Sequence, residues 1–124
     1  MGKRLHSAIK YEVKYNTNGC FNWGGDHVNP IIECLADGDF WCDDYEYMGG
    51  ANTLEANREI LLANVERIIN PDPEWVNQEE LDELIEEMEN DKTCEIDRQY
   101  LYTELKHLIE QSDPTCSYVH FAWF

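Results

Sequence analysis

The segment 77–91 constrains the fold more than any other part of the chain. Between Glu79 and Glu89 it holds seven acidic residues and no basic one. Asn77 and Glu80 form a capping-box pattern at its start. Its apolar residues recur at i, i+3, i+4 and i+7, the spacing of one helix face: Leu81, Leu84, Ile85 and Met88. The spacing predicts an amphipathic helix that packs this stripe on a core and holds its acids on a fixed outer surface.

The net charge restricts the partners of the chain. The 124 residues carry a formal net charge of -17, and 43% of them are hydrophobic. That hydrophobic fraction is typical of a globular protein, and the length suits one domain spanning residues 1–124. A strongly negative protein is repelled by nucleic acid and by anionic membranes. We therefore expect a basic protein as partner, with no direct binding to nucleic acid or to a membrane.

An N-terminal hairpin is predicted from side-chain alternation. Apolar and aromatic residues alternate with charged ones and indicate a half-buried strand over residues 6–16. Asn18-Gly19 marks the turn that follows. A three-residue loop at 17–19 keeps the aromatic faces of the two strands aligned, so we expect the second strand at residues 20–23.

The first predicted helix follows this hairpin. Its apolar face is formed by Val28, Ile31, Ile32 and Leu35. Two starts are open: Asn29 as cap with Pro30 at the first helical position, or Asp26 as cap with Pro30 in the first turn. Asp37-Gly38 is expected to end the helix.

Two more helices lie on either side of the acidic one. Asn52 and Glu55 form a capping box, which predicts a helix that ends at Asn70-Pro71. Its inward residues would be Leu54, Leu61, Val65, Ile68 and Ile69. A further helix is expected over about residues 95–111 from its apolar spacing. Residues 39–50 are rich in aromatic and acidic side chains and predict an irregular loop with room for one short strand.

The C-terminal segment completes the predicted fold. Residues 117–124 are β-branched and aromatic, and we expect them to pair antiparallel with the first strand. The fold class is therefore α+β: a small three-stranded antiparallel sheet, made by the N-terminal hairpin and the C-terminal strand, packed with about four α-helices.

The acidic helix is the strongest candidate for a functional surface. Seven carboxylates over a rise of roughly 15 Å give one charge per roughly 2 Å, close to the one per roughly 1.7 Å of duplex DNA. The sharpest hypothesis is a nucleic-acid mimic that inhibits a basic nucleic-acid-binding protein, such as a host defence nuclease opposed by a mobile element. Its contact residues would be Glu79, Glu80, Asp82, Glu83, Glu86, Glu87 and Glu89, extended by Asp39, Asp43, Asp44, Glu46, Trp41 and Tyr45.

No motif indicates catalysis, a cofactor or a metal. An EF-hand loop that starts at Asp37 fails, because its fifth, sixth and twelfth positions hold Trp41, Cys42 and Met48. A looser carboxylate site would use Asp37, Asp39, Asp43 and Asp44. The candidate zinc ligands are Cys20, His27, Cys34 and Cys42. Their spacing is irregular and contains none of the closely paired ligands that are typical of a zinc site. A cysteine paired with His107 or His120 is the remaining enzymatic arrangement. We predict a non-enzymatic protein with neither cofactor nor metal.

The competing hypothesis is a structural or assembly module. In it, the aromatic loop and the C-terminal strand would form a homo-oligomer. The five cysteines contain no CxxC pair, and the first residues lack the apolar core of a signal peptide. Both features predict a cytoplasmic protein with reduced thiols.

Overall fold

An antiparallel sheet and four α-helices make up the part of the chain that the computed structural model describes, residues 5–9, 12–14, 25–42, 53–92, 94 and 96–123. The elements follow in the order β1 (Leu5–Ile9), β2 (Glu12–Lys14), α1 (Gly25–Leu35), β3 (Phe40–Cys42), β4 (Thr53–Asn57), α2 (Arg58–Asn64), α3 (Gln78–Asn90), α4 (Arg98–Gln111) and β5 (Tyr118–Trp123). A 3₁₀ helix, Val65–Ile68, directly follows α2.

The C-terminal strand lies at the centre of the sheet. The strand order is β2-β1-β5-β4-β3, and every neighbouring pair is antiparallel. The expected pairing of β5 with the first strand is confirmed, with Leu5 opposite Trp123. On its other side β5 pairs with β4, which places Phe121 opposite Leu54. The predicted α+β class, with an antiparallel sheet that joins the N-terminal and C-terminal segments, is confirmed. The sheet has five strands where three were expected, because β3 and β4 extend it.

The two faces of the sheet differ in polarity. Leu54, Ala56, Val119 and Phe121 alternate along β4 and β5 and are buried in the core. The intervening residues point to the opposite face, since successive side chains of a strand alternate. There Trp41 is paired with Glu55, and Glu55 with His120.

Helices α1 and α3 run antiparallel beside each other. Near the end of α1, the Cys34 thiol points to the Asn77 carbonyl oxygen at 3.8 Å. Near the start of α1, His27 Nε2 lies 2.8 Å from Asp91 Oδ2. Their apolar faces fill the core: the predicted α1 face and the α3 residues Leu81, Ile85 and Met88 are 0% exposed. The helical predictions for both segments are confirmed.

None of the helices in the described ranges is long and apolar enough to cross a membrane.

The start of α1 differs from both predicted caps. The helix begins at Gly25, so Pro30 lies in the second turn rather than at its first position or in its first turn. Since proline has no N–H, the helical hydrogen bond to the carbonyl of Asp26 is absent. The predicted end is confirmed, because Asp37 and Gly38 follow with left-handed φ values of 52° and 86°.

Two other local predictions were wrong. The expected single strand over residues 6–16 is two strands, β1 and β2, with Ile9 opposite Glu12; alternation fixes the face of a side chain but not where the chain reverses. The expected strand at 20–23 lies outside the described residues. The capping box at 52–55 does not begin a helix, because residues 53–57 form β4 and are paired on both sides.

The helix after β4 begins later, at Arg58, and Asn57 caps it by accepting a hydrogen bond from the Ile60 amide at 3.1 Å. Strand pairing on two sides outweighs the capping pattern, which is worth about 1 kcal/mol. Of the expected inward residues, Leu61, Val65 and Ile68 are buried, Leu54 is buried as part of β4, and Ile69 is partly buried. The short strand allowed within residues 39–50 is β3.

Candidate functional site

The outward face of α3 carries a row of exposed carboxylates. Glu79, Glu83, Glu86 and Glu87 are exposed, while the opposite side of the helix is buried. None of the ion pairs within the described ranges involves any of the four. We call these four residues the outer acidic row. Because the buried stripe anchors the helix, the row is held on a fixed surface.

Two other acids of α3 are tied into the protein itself. Asp82 accepts a hydrogen bond from Gln78 Nε2 at 3.0 Å, and its Oδ1 lies 3.6 Å from Arg98 Nη1. Glu89 accepts the Arg98 backbone N–H at 3.0 Å. These contacts join α3 to the start of α4. The seven acids of the predicted contact surface therefore divide into structural and outward-facing members.

Glu80, the seventh acid, faces α1 and helps form a groove. The groove has a volume of about 400 Å³ and lies between α1, the turn after it and the start of α3. Its acidic residues come from three separate segments: Glu33 in α1, Asp37 in the turn and Glu80 in α3. The other lining residues are Pro30, Cys34, Gly38, Phe40, Asn77 and Leu84. We call this the α1–α3 groove.

The turn at Asp37 fixes one end of the groove. Asp37 adopts the left-handed conformation, which aspartate tolerates better than most residues. Its Oδ1 accepts a hydrogen bond from Asn77 Nδ2 at 2.7 Å. Asn77 occupies the N-cap position of α3, but its side-chain oxygen accepts no capping hydrogen bond. The predicted capping box at Asn77 and Glu80 is thus replaced by a link between α1 and α3.

The groove has a negative electrostatic environment. Burial, followed by the neighbouring carboxylates of Glu80 and Asp37, raises the pKa of the Cys34 thiol from 9.0 to about 12. Burial also raises the pKa of Glu33. The Glu33 shift reflects burial alone, whereas the Cys34 shift also reflects the negative charge of its two neighbours. No described residue that lines the groove is basic, so a cation entering it would find no competing positive group among them.

The edge strand β3 presents an exposed aromatic residue. The Trp41 side chain is 56% exposed, and Phe40, next to it, lines the α1–α3 groove. Asp39 precedes them, but its carboxylate accepts hydrogen bonds from Asn57 Nδ2 at 2.9 Å and from the Tyr118 hydroxyl at 2.6 Å. Asp39 therefore serves the sheet rather than an outer surface. The remaining predicted contact residues, Asp43, Asp44, Tyr45 and Glu46, lie outside the described residues.

The structure describes several of the residues considered as metal ligands or nucleophiles. Among the described residues, no three His, Cys, Asp or Glu side chains are grouped as a metal site requires. His27 is paired with Asp91, and His120 Nδ1 lies 3.3 Å from Glu55 Oε1. The thiols of Cys34, Cys94 and Cys116 are free. Cys34 is 6% exposed, and its raised pKa opposes formation of a nucleophilic thiolate.

Sequence reasoning did not identify the α1–α3 groove. Asp37 and Asn77 are 40 residues apart in the chain, and no local pattern marks their contact. The sequence gives only a weak signal for such a groove. Glu33 lies beside Cys34 on the first helix, and Asp37 follows at the end of that helix.

Comparison of the chain with protein-family models, with curated proteins and with solved structures finds no match in any of the three.

Proposed function

We propose that this protein is a non-enzymatic binding protein that recognises a basic protein through the outer acidic row of α3. One observation carries the proposal: four exposed carboxylates lie on a helix anchored by fully buried residues, and they have no ion-pair partner within the described part of the chain. Like-charged pairs at i, i+4 destabilise a helix by about 0.2–0.5 kcal/mol each. A row of this kind therefore opposes folding and gains from a cationic partner.

The partner class follows from charge density and rigidity. A fixed row of carboxylates can occupy a groove lined with lysine and arginine without being ordered first, which lowers the entropic cost of binding. Such grooves are typical of nucleic-acid-binding proteins, which release counterions when they bind a charged backbone. We propose that the row imitates a nucleic-acid backbone and blocks the groove of a nuclease or a related basic protein. A cytoplasmic site of action belongs to this proposal and rests on the sequence.

The assembly alternative receives less support from the strand arrangement. The homo-oligomer hypothesis needs the C-terminal strand to pair with a second copy. Strand β5 already has neighbours on both of its edges, β1 and β4. Pairing with another chain would require one of these ladders to open.

Affinity capture from the native host tests the proposal. Three versions of the protein would be immobilised and eluted with rising salt, and the eluted proteins would be identified by mass spectrometry. They are the wild type, a row variant (Glu83→Gln, Glu86→Gln and Glu87→Gln) and a control (Glu59→Gln, Glu74→Gln and Glu110→Gln). The control residues are also exposed, and both variants lose three negative charges.

We expect the wild type and the control to retain a basic nucleic-acid-binding protein that elutes steeply with salt, and the row variant to lose it. Retention of the same proteins by all three would contradict the proposal. The captured protein, once purified, gives a direct assay: the wild type should compete with DNA or RNA for it, whereas the row variant should not.

A further inference from the structure

We propose that the α1–α3 groove is the subsite of this binding surface that receives an arginine side chain of the basic partner. The inference rests on the proposed function, because it names the part of the surface where one partner residue would be anchored. It adds a second element to the outer acidic row: a concave site of about 400 Å³ with carboxylates on three different segments.

The lining of the groove matches both parts of an arginine side chain. Pro30, Phe40 and Leu84 offer apolar contact to the methylene stem, which such side chains bury while the charged head stays polar. Glu33, Asp37 and Glu80 provide carboxylates for the head. A guanidinium group has five N–H donors in a plane, so it can contact acids in several directions at once.

The acids of the groove have no basic neighbour among the described residues that line it. Lys or Arg residues pair with other acids elsewhere: Arg67 with Asp72, and Lys106 with Glu66. Asp37 is held in place by Asn77 at 2.7 Å, so one of the carboxylates is already positioned. Burial, and after it the nearby carboxylates of Glu80 and Asp37, raises the pKa of the Cys34 thiol, so these two acids lie close to a partly buried part of the groove. A cation therefore complements the groove without rearrangement of a resident ion pair.

The groove is continuous with the outer acidic row through α3. Glu80 and Leu84 line the groove, while Glu83 and Glu87, next in the helix, belong to the outer row. A basic segment that lies along α3 can place one arginine in the groove and further basic residues on the row. The groove would then supply orientation, and the row would supply general attraction.

A pair of charge-matched variants tests the assignment. The groove variant is Asp37→Asn with Glu80→Gln. The row variant for this comparison is a double variant, Glu83→Gln with Glu86→Gln, and not the triple variant of the capture experiment. Each of the two removes two charges. Asparagine suits the left-handed conformation of Asp37 and keeps an acceptor for Asn77. The probe is a fluorescent octa-arginine peptide, with affinity measured by anisotropy. A second groove variant, Glu33→Gln with Glu80→Gln, serves if the first fails to fold.

We expect the groove variant to lose on the order of tenfold in affinity and the row variant about two- to threefold, a difference that charge count alone does not produce. Equal losses, or a larger loss in the row variant, would overturn the groove assignment and leave the proposed function in place. If the wild type does not bind the peptide, both proposals fail.

Small-molecule titration locates the site directly. Nα-acetyl-arginine amide, added to ¹⁵N-labelled protein, should shift the backbone amide signals of Gly38 and Glu80. The neutral isostere Nα-acetyl-citrulline amide should leave them in place. Equal shifts with both compounds, larger shifts with Nα-acetyl-lysine amide, or shifts confined to Glu83–Glu87 would overturn the assignment of this groove to arginine.

Discussion

His27 Nε2 lies 2.8 Å from Asp91 Oδ2, and this contact joins the first turn of α1 to the residue that follows α3. At the other end of the two helices, Asn77 Nδ2 donates to Asp37 Oδ1 at 2.7 Å. The two links close both ends of the α1–α3 pair. They fix the helix that bears the outer acidic row and, at the Asp37 end, one side of the α1–α3 groove.

The first prediction concerns the His27–Asp91 link. Both side chains are partly exposed, 20% and 34%, and pairs of this kind are worth about 0.2–1 kcal/mol. Replacing His27 with alanine should lower the free energy of unfolding, measured in urea, by about 1 kcal/mol or less. This figure includes the packing contacts that the imidazole makes. The exposed Lys92→Ala variant should be unchanged. Equal effects of the two substitutions would contradict a stabilising link.

The second prediction concerns like charges on α3. Glu83 has Glu79 and Glu87 four residues away on either side. Lysine at this position should turn two repulsive pairs into attractive ones and raise the free energy of unfolding by about 1 kcal/mol at low salt. The gain should shrink at high salt because these groups are exposed. At low salt, Glu83→Gln should give about half of the gain in the free energy of unfolding that lysine gives. A loss of stability would mean that Glu83 has a structural role.

The third prediction concerns the anchor of the acidic helix. Ile85 is 0% exposed and packs beneath the outer acidic row. Ile85→Ala should cost about 2–5 kcal/mol, since it leaves a cavity in the core. The matched control is Leu62→Ala. Because Leu62 is 36% exposed, this variant should lose much less stability. Chemical denaturation of both variants measures the difference. Similar losses would show that α3 is not anchored through this stripe.

The fourth prediction concerns pH and Cys34. Its pKa rises from 9.0 to about 12 in the folded protein, so the unfolded chain releases the thiol proton first as the pH increases. The associated stability is present below pH 9.0 and is lost as the pH rises toward 12. The Cys34→Ala variant should therefore lose less stability over this interval than the wild type. Parallel losses would contradict the assigned shift.

Thiol alkylation tests the burial and the raised pKa of Cys34 by a second method. At mildly alkaline pH, iodoacetamide should modify the half-buried Cys116 before Cys34, since the reactive species is the thiolate and Cys34 is both buried and hard to ionise. Peptide mapping by mass spectrometry identifies the order. Modification of Cys34 first would be inconsistent with its environment in this structure.

The periodicity of apolar residues was sufficient to predict the buried face of an element when one side of that element faces the core. The α1 and α3 faces and the buried positions after β4 follow from spacing alone, because a helix can bury only the residues on one stripe. The capping box at 52–55 failed since it is a local signal. Pairing of β4 with β3 and β5 adds two ladders of hydrogen bonds and buries Leu54 and Ala56.

The sequence by itself determined the amphipathic character of α3, the excess of acid on its surface and the strand at the C-terminus. Only the tertiary structure decided which acids are available. It engages Asp82 and Glu89 with Arg98, turns Glu80 toward Cys34 and leaves the outer acidic row facing outward. The physical reason is that periodicity assigns a residue to a face of its own helix. The neighbours of that face come from segments distant in the chain, and packing alone brings them together.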